Sequence, residues 1–263
     1  VEKVTQLLLD SLQDKTEFID ACFFTTEGHE AVTVTSFNQS NKVVNGDMLP
    51  TAFIYLMGSF CKSVCAQLVS EAALKPQAAS PIGILVANIF SDPRLYCREK
   101  SMISMLISKI FVACPVLFGV RGDESTHEGR ARIGWRKIDG KFISEQAHFD
   151  RMSGIAAGYA AISLRDFSRS SKKNPYLAIY YWLAISAIVN TPPEEAFSTQ
   201  FVVLKALIEN SFSTFIKFYG DMGVAALQAA LVEFPKRGPR GSASVDTLRT
   251  LGETLKKDHG LTL

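Results

Sequence analysis

Histidine, tryptophan and strand-like alternation are scarce in this chain, and each scarcity removes a class of function. The four histidines, His29, His127, His148 and His259, stand at no metal-ligand spacing. No GxxxxGK[ST] loop is present to cradle a phosphate chain, and no GxSxG turn to raise a serine nucleophile. The five cysteines are an odd number without a CxxC pair; Cys61 and Cys65, four apart, suit one helix face better than a zinc knuckle. They read as buried free thiols in a reducing compartment. No unbroken apolar run reaches the roughly 18 residues of a membrane span. No cationic start followed by an apolar core marks a signal peptide. A chain beginning at Val1 is expected to be a piece of a longer protein. Period-two alternation is confined to Val32-Thr33-Val34-Thr35, which reads as a loop or one minor strand. Global charge is also lacking: 28 Lys and Arg against 26 Asp and Glu leave +2, too little to draw in nucleic acid or membrane by field alone.

What the chain does have is apolar mass at helical spacing. Hydrophobic residues make up 47% and charged residues 21% of 263 positions, enough for a substantial core in one large domain or two small ones. Helices are expected over 1–24, 49–74, 80–91, 100–113, 144–167, 175–189, 196–209, 213–219, 222–232 and 245–257, with prolines at most joints. This pattern predicts an all-α protein, an irregular HEAT-repeat-like helical solenoid resembling the middle domains of translation scaffolds. Residues 1–46 are expected to form a peripheral helix and loop, and 47–263 a single helical domain.

Between the helices lies one long polar excursion, from Cys114 to Ser153, and connections of that length are often functional. Its surroundings are cationic: Arg94 to Lys141 holds ten Lys or Arg against five Asp or Glu. Trp135 with Arg130, Arg132, Arg136 and Lys137 fits two readings. One is a nucleic-acid patch built on stacking; the other, favoured, is a solvated loop anchored by the tryptophan. His148 reads as a capping or core histidine. Glu194-Glu195 read as acids placed at a helix N-terminus by its dipole. Lys62, Lys109 and Arg151 each sit in otherwise apolar or small-residue helices. Singly they would snorkel; converging, they would call for a polyphosphate anion.

Several short motifs occur in a telling order: Lys75-Pro76 with Ser80-Pro81-Ile82-Gly83, then Ala113-Cys114-Pro115, Gly129-Arg130 with Gly134-Trp135-Arg136, Arg151-Met152-Ser153-Gly154-Ile155, and Asn190-Thr191-Pro192. From Leu56 onward this order resembles the C-terminal domain of the GLFG-lethal (Gle-type) mRNA export factors. The resemblance implies a HEAT-like domain at the cytoplasmic face of the nuclear pore. It implies a domain that is not an enzyme, that binds a DEAD-box RNA helicase and stimulates its ATPase cycle. It also implies an FG-repeat nucleoporin as partner, with translation initiation and termination factors as further candidates, and no membrane span. Inositol hexakisphosphate is the implied tether to the helicase. Lys62, Lys109 and Arg151 match cations of that pocket, and Lys15 stands near an N-terminal pocket lysine. The family's Lys-Lys before Cys-Pro is here Val112-Ala113, so inositol hexakisphosphate dependence is expected to be weak or absent. Apart from the resemblance, the residues also fit a generic α-solenoid scaffold for peptides or RNA.

Overall fold

Proline has no amide proton to give a helix interior but is tolerated in a first turn, so this chain's prolines mark its joints. The computed structural model describes residues 1–20 and 48–261. The chain starts with α1 (Glu2–Ser11). A short antiparallel pair, β1 (Phe18–Asp20) and β2 (Met48–Pro50), leads directly into α2 (Thr51–Gln67). α2 runs on through one π-helical turn, Leu68–Ala72. Pro76 opens a 3-10 turn before α3 (Ala79–Phe90), and Pro115 opens another just after α4 (Ser104–Ala113). The polar excursion contains α5 (His127–Arg132) and a hairpin of β3 (Lys137–Ile138) and β4 (Lys141–Phe142). Then follow α6 (Glu145–Ser163), α7 (Ala178–Val189), α8 (Ser198–Glu209), α9 (Phe212–Tyr219), α10 (Asp221–Gln228) and α11 (Ala243–His259).

The all-α reading holds, and from α2 onward helix boundaries fall within about a turn of those expected; the helix expected over 1–24 is instead α1 ending at Ser11, with Phe18–Asp20 drawn into the strand pair with Met48–Pro50. Val32 to Thr35, Cys22, His29 and the boundary at residue 46 lie outside the described residues. Two features of the excursion were not expected from the sequence. α5 is only six residues long and contains Gly129, too short for a periodic signal. The β3–β4 hairpin turns at Asp139 (φ +49°) and Gly140 (φ +76°), the pair of left-handed residues a tight two-residue turn needs.

Buried apolar side chains form one continuous cluster from Leu8 of α1 to Leu255 of α11. α2 contributes a single stripe, Phe53, Met57, Cys61, Val64, Leu68 and Ala72, at steps of three and four. Thr51–Ala72 is long and apolar enough to cross a membrane by length and composition; the stripe packed into the cluster reads instead as a core helix.

α6 is the hub, touching the π turn of α2 as well as α3, α4, α7 and α8. Its small residues make this possible. A Cβ on Gly154 would collide with the Leu68 carbonyl oxygen and lie 2.9 Å from the Ala73 nitrogen. One on Gly158 would run into the Leu68 side chain. Neither glycine leaves room for a Cβ between α6 and the end of α2.

A cationic rim where α2, α4 and α6 meet

Arg151 organises this corner. Its Nη1 donates to the carbonyl oxygens of Ala113 (3.0 Å) and Gly134 (2.9 Å). Ala113 ends α4, so its carbonyl is one of the orphans at the negative end of that helix, and a cation there satisfies both bond and dipole. Gly134 must be glycine on two counts: its φ is +89°, and a Cβ would lie 2.8 Å from Pro115 Cδ and 3.0 Å from the Ala113 oxygen. One guanidinium nitrogen thus fastens the end of α4, the loop after α5 and α6 together.

Lys109 stands one turn before the end of α4, half-buried. The Cys65 thiol of α2 reports its closeness to Arg151. Burial pushes that thiol up, and Lys109 and then Arg151 pull it back down. Burial holds Arg151 below the usual guanidinium range, and Arg136, just past Gly134, repels it further. Lys62 is exposed, three residues before Cys65 on α2. Lys15 lies two residues before Glu17, near the other end of α2. The backbone at Glu17 bonds to Thr51 at the start of α2, while Lys62 lies about 16 Å further along that helix. Among the described residues neither Lys62 nor Lys109 has a carboxylate partner. The two positions before Cys114 differ in kind: Val112 is 74% exposed, whereas Ala113 is 8% exposed.

The rest of the excursion is tied down to α6 and α8. Trp135, 8% exposed, stacks on His148 with ring centroids 4.1 Å apart and planes 15° apart. The Arg130 guanidinium caps the same indole at 4.8 Å, and Phe142 meets its edge at 6.0 Å. No ring face is left for a base, so the nucleic-acid stacking reading of Trp135 is withdrawn. The anchoring reading stands: Trp135 is packed, while Arg132, Arg136 and Lys137 around it are exposed. His148 is a core histidine with Nε2 3.0 Å from Thr199 Oγ1. Burial, helped by Arg151 and Arg130, pushes it down to about 3. Glu124 Oε1 accepts from the Thr199 backbone N–H at 2.7 Å, a side-chain cap on the first turn of α8. Burial pushes Glu124 up despite that bond. Glu195, in a 3-10 turn, pairs with Arg121 at 3.0 Å. Nothing in the residue pattern announced the roles of Arg121 and Glu124, because their partners lie more than seventy residues away.

The profile of the family described as GLE1-like protein matches residues 7–231. The chain belongs to this family. It is 45% identical over 264 residues to the mRNA export factor GLE1 of Chaetomium thermophilum, covering 100% of this chain and 49% of that one. Its identity to the mRNA export factor GLE1 of Saccharomyces cerevisiae is 24% over 191 residues, 70% of this chain and 34% of the other. The chain spans about half the length of the first of these GLE1 relatives and a third of the second. Its fold is also that of Gle1 in a solved S. cerevisiae complex of a Dbp5 variant's C-terminal domain bound to Gle1 and IP6: TM-score 0.69 at 22% identity, over 79% of this chain and 70% of that one. Among the described residues of this GLE1-like chain, no group of three His, Cys, Asp or Glu could hold a metal ion.

Proposed function

We propose that this chain is the helicase-docking part of an mRNA export factor. It binds a DEAD-box RNA helicase and raises its RNA-stimulated ATPase rate at the cytoplasmic face of the nuclear pore, with no bond-making centre of its own. The observation that carries this reading is the cationic rim of α2, α4 and α6 on a rigid helical body, in a family whose Gle1 relative has been solved with Dbp5 and IP6. An FG-repeat nucleoporin docks elsewhere on the chain, and translation initiation and termination factors are further partners. The single helical domain over 47–263, with 1–46 as its appendage, is the unit that acts. The other reading, a scaffold for RNA, has less support because Trp135 is covered.

Inositol hexakisphosphate is the ligand whose chemistry fits the rim, held by Lys109, Arg151 and Lys62; the position of Lys15 speaks against its taking part. The grip is weak. A charge-assisted hydrogen bond to phosphate contributes roughly 1.5–3 kcal/mol, and Val112 and Ala113 offer none. In a purified ATPase assay with RNA, adding this chain should raise the helicase's rate several-fold, and inositol hexakisphosphate should change that increment little. A rate left unchanged by the chain would remove the helicase reading. By calorimetry at physiological salt the anion should bind more weakly than about 1 μM, and nanomolar binding would contradict the weakened site. Val112→Lys restores a cation at the exposed one of the two positions and should tighten binding about tenfold.

A further inference from the structure

Where the excursion folds back onto α6 and α8 it encloses a cavity of about 390 Å³, with Glu124, Arg130, Trp135, Glu145, Ser198 and Pro239 in its walls. The walls are held from several sides. The Glu124 carboxylate accepts from the Thr199 N–H, and Arg130 Nε donates to the Glu124 carbonyl oxygen at 2.6 Å. Glu145 opens α6 behind the Ser144 cap. Each acid has a local explanation: Glu124 caps α8, and Glu145 sits where the dipole of α6 favours a carboxylate. Neither explanation covers the tryptophan. His148 and the Arg130 guanidinium occupy the faces of the Trp135 indole, so the ring meets the cavity with its edge. The indole Nε1 on that edge is buried and has no hydrogen-bond partner, in a residue only 8% exposed. A buried donor without an acceptor is costly, and an incoming acceptor removes the cost.

The carboxylates are short of a partner as well. Among the described residues neither Glu124 nor Glu145 has an ion pair. Glu145 adds its repulsion to the burial that raises Glu124. Arg130 does not fill the place, because its guanidinium lies over the indole. One cavity thus lacks a cation for its two acids and an acceptor for its N–H. An arginine in a peptide brings both, the first in its side chain and the second in its main-chain carbonyl.

We propose that this cavity is a docking pocket for an arginine of a basic segment in a partner protein, with Glu124 and Glu145 receiving the guanidinium and the Trp135 indole N–H donating to a backbone carbonyl of that segment. Arginine suits the pocket better than lysine, because its planar fork offers separate donors to two carboxylates. None of Lys62, Lys109 or Arg151 lines the cavity, so it stands apart from the inositol-phosphate reading.

The chain has two tryptophans, Trp135 and Trp182, so its nitrogen–proton NMR spectrum carries two indole signals, which Trp182→Phe assigns. The test is titration of the whole chain at about 50 mM salt, where surface charges are little screened, with end-capped Gly-Arg-Gly, Gly-Lys-Gly and Gly-Gln-Gly peptides. The arginine peptide should move the Trp135 signal and bind about tenfold more tightly than the glutamine peptide, with lysine between them. Glu145→Gln should weaken the arginine peptide about tenfold in a chain that stays folded by the same spectrum. Equal responses to arginine and glutamine, or an affinity unchanged in Glu145→Gln, would overturn the pocket. A Trp135 signal that no peptide moves would also sink it, leaving water as the partner of the N–H. Arg240, exposed beside Pro239 of the wall, is the rival occupant from within the chain. If wild type ignores the arginine peptide and Arg240→Gln alone moves the Trp135 signal, the chain's own loop fills the pocket and the partner is refuted.

Discussion

Gly154→Ala should lower the thermal midpoint of this chain by roughly 10 °C. The added Cβ has no side chain to push aside, because it meets backbone: the Leu68 carbonyl and the Ala73 nitrogen. Leu68 opens the π turn that ends α2 and Ala73 follows it directly, and α6 is packed on its other sides by α3, α4, α7 and α8. Relief requires moving a whole helix out of a close-packed core. Overpacking of this kind costs about 3 kcal/mol, and in a chain of this size each kcal/mol shifts the midpoint by roughly 2–4 °C. Gly58 supplies the control. It also lies inside a helix, α2, but a Cβ there meets nothing within 4 Å. Gly58→Ala should gain about 0.5–1 kcal/mol from helix propensity alone. Calorimetric scans of both variants decide the matter, and equal midpoints would refute the close contact of α6 with the π turn.

The second large effect is acid lability centred on His148. Its folded value of about 3 lies below its ordinary 6.5 because the ring is buried, with Arg151 and Arg130 adding to the push. The folded chain therefore needs the neutral imidazole, whereas the unfolded chain takes up a proton once the pH falls below 6.5. The stabilisation is complete above 6.5 and is lost as pH drops from 6.5 toward 3, by up to about 1.4 kcal/mol per pH unit. Glu124 acts in the opposite sense. Its carboxyl is raised, so its contribution is greatest at low pH and fades as pH rises through the folded value. Urea unfolding at pH 7.5 and 4.5 should show a loss of about 2–3 kcal/mol in wild type. His148→Gln, which keeps a donor for Thr199 but cannot be protonated, should be less stable at pH 7.5 and lose much less between the two. Equal losses in the two proteins would show that carboxylates alone set the acid limit.

Which parts of this molecule were legible beforehand follows from the range of the interactions that set them. Proline position and helical spacing are local, and they gave the helices of the body to within a turn. The close approach at α6 lies at Gly154 and Gly158, small residues visible in the sequence. His148 as a core residue was readable too. The Asp139-Gly140 turn was a visible signal, but the strands flanking it are two residues each and carry Lys137 and Lys141, so the alternation that confirms a hairpin was missing. Long-range pairings were not readable: Glu124 with Thr199, Arg121 with Glu195, and Arg130 over Trp135 depend on how the excursion folds back. Lys62, Lys109 and Arg151 stood out as cations in apolar or small-residue helices, whereas Lys15 came only from the likeness to a family; spacing alone could not show that Lys109 and Arg151 both lie near Cys65.

Arg151 uses a single nitrogen to hold the end of α4 and the loop behind the hairpin. A load applied to this arginine is therefore carried by three segments of chain in parallel. Strain applied at that point spreads through the hub helix and does not peel away one turn at a time.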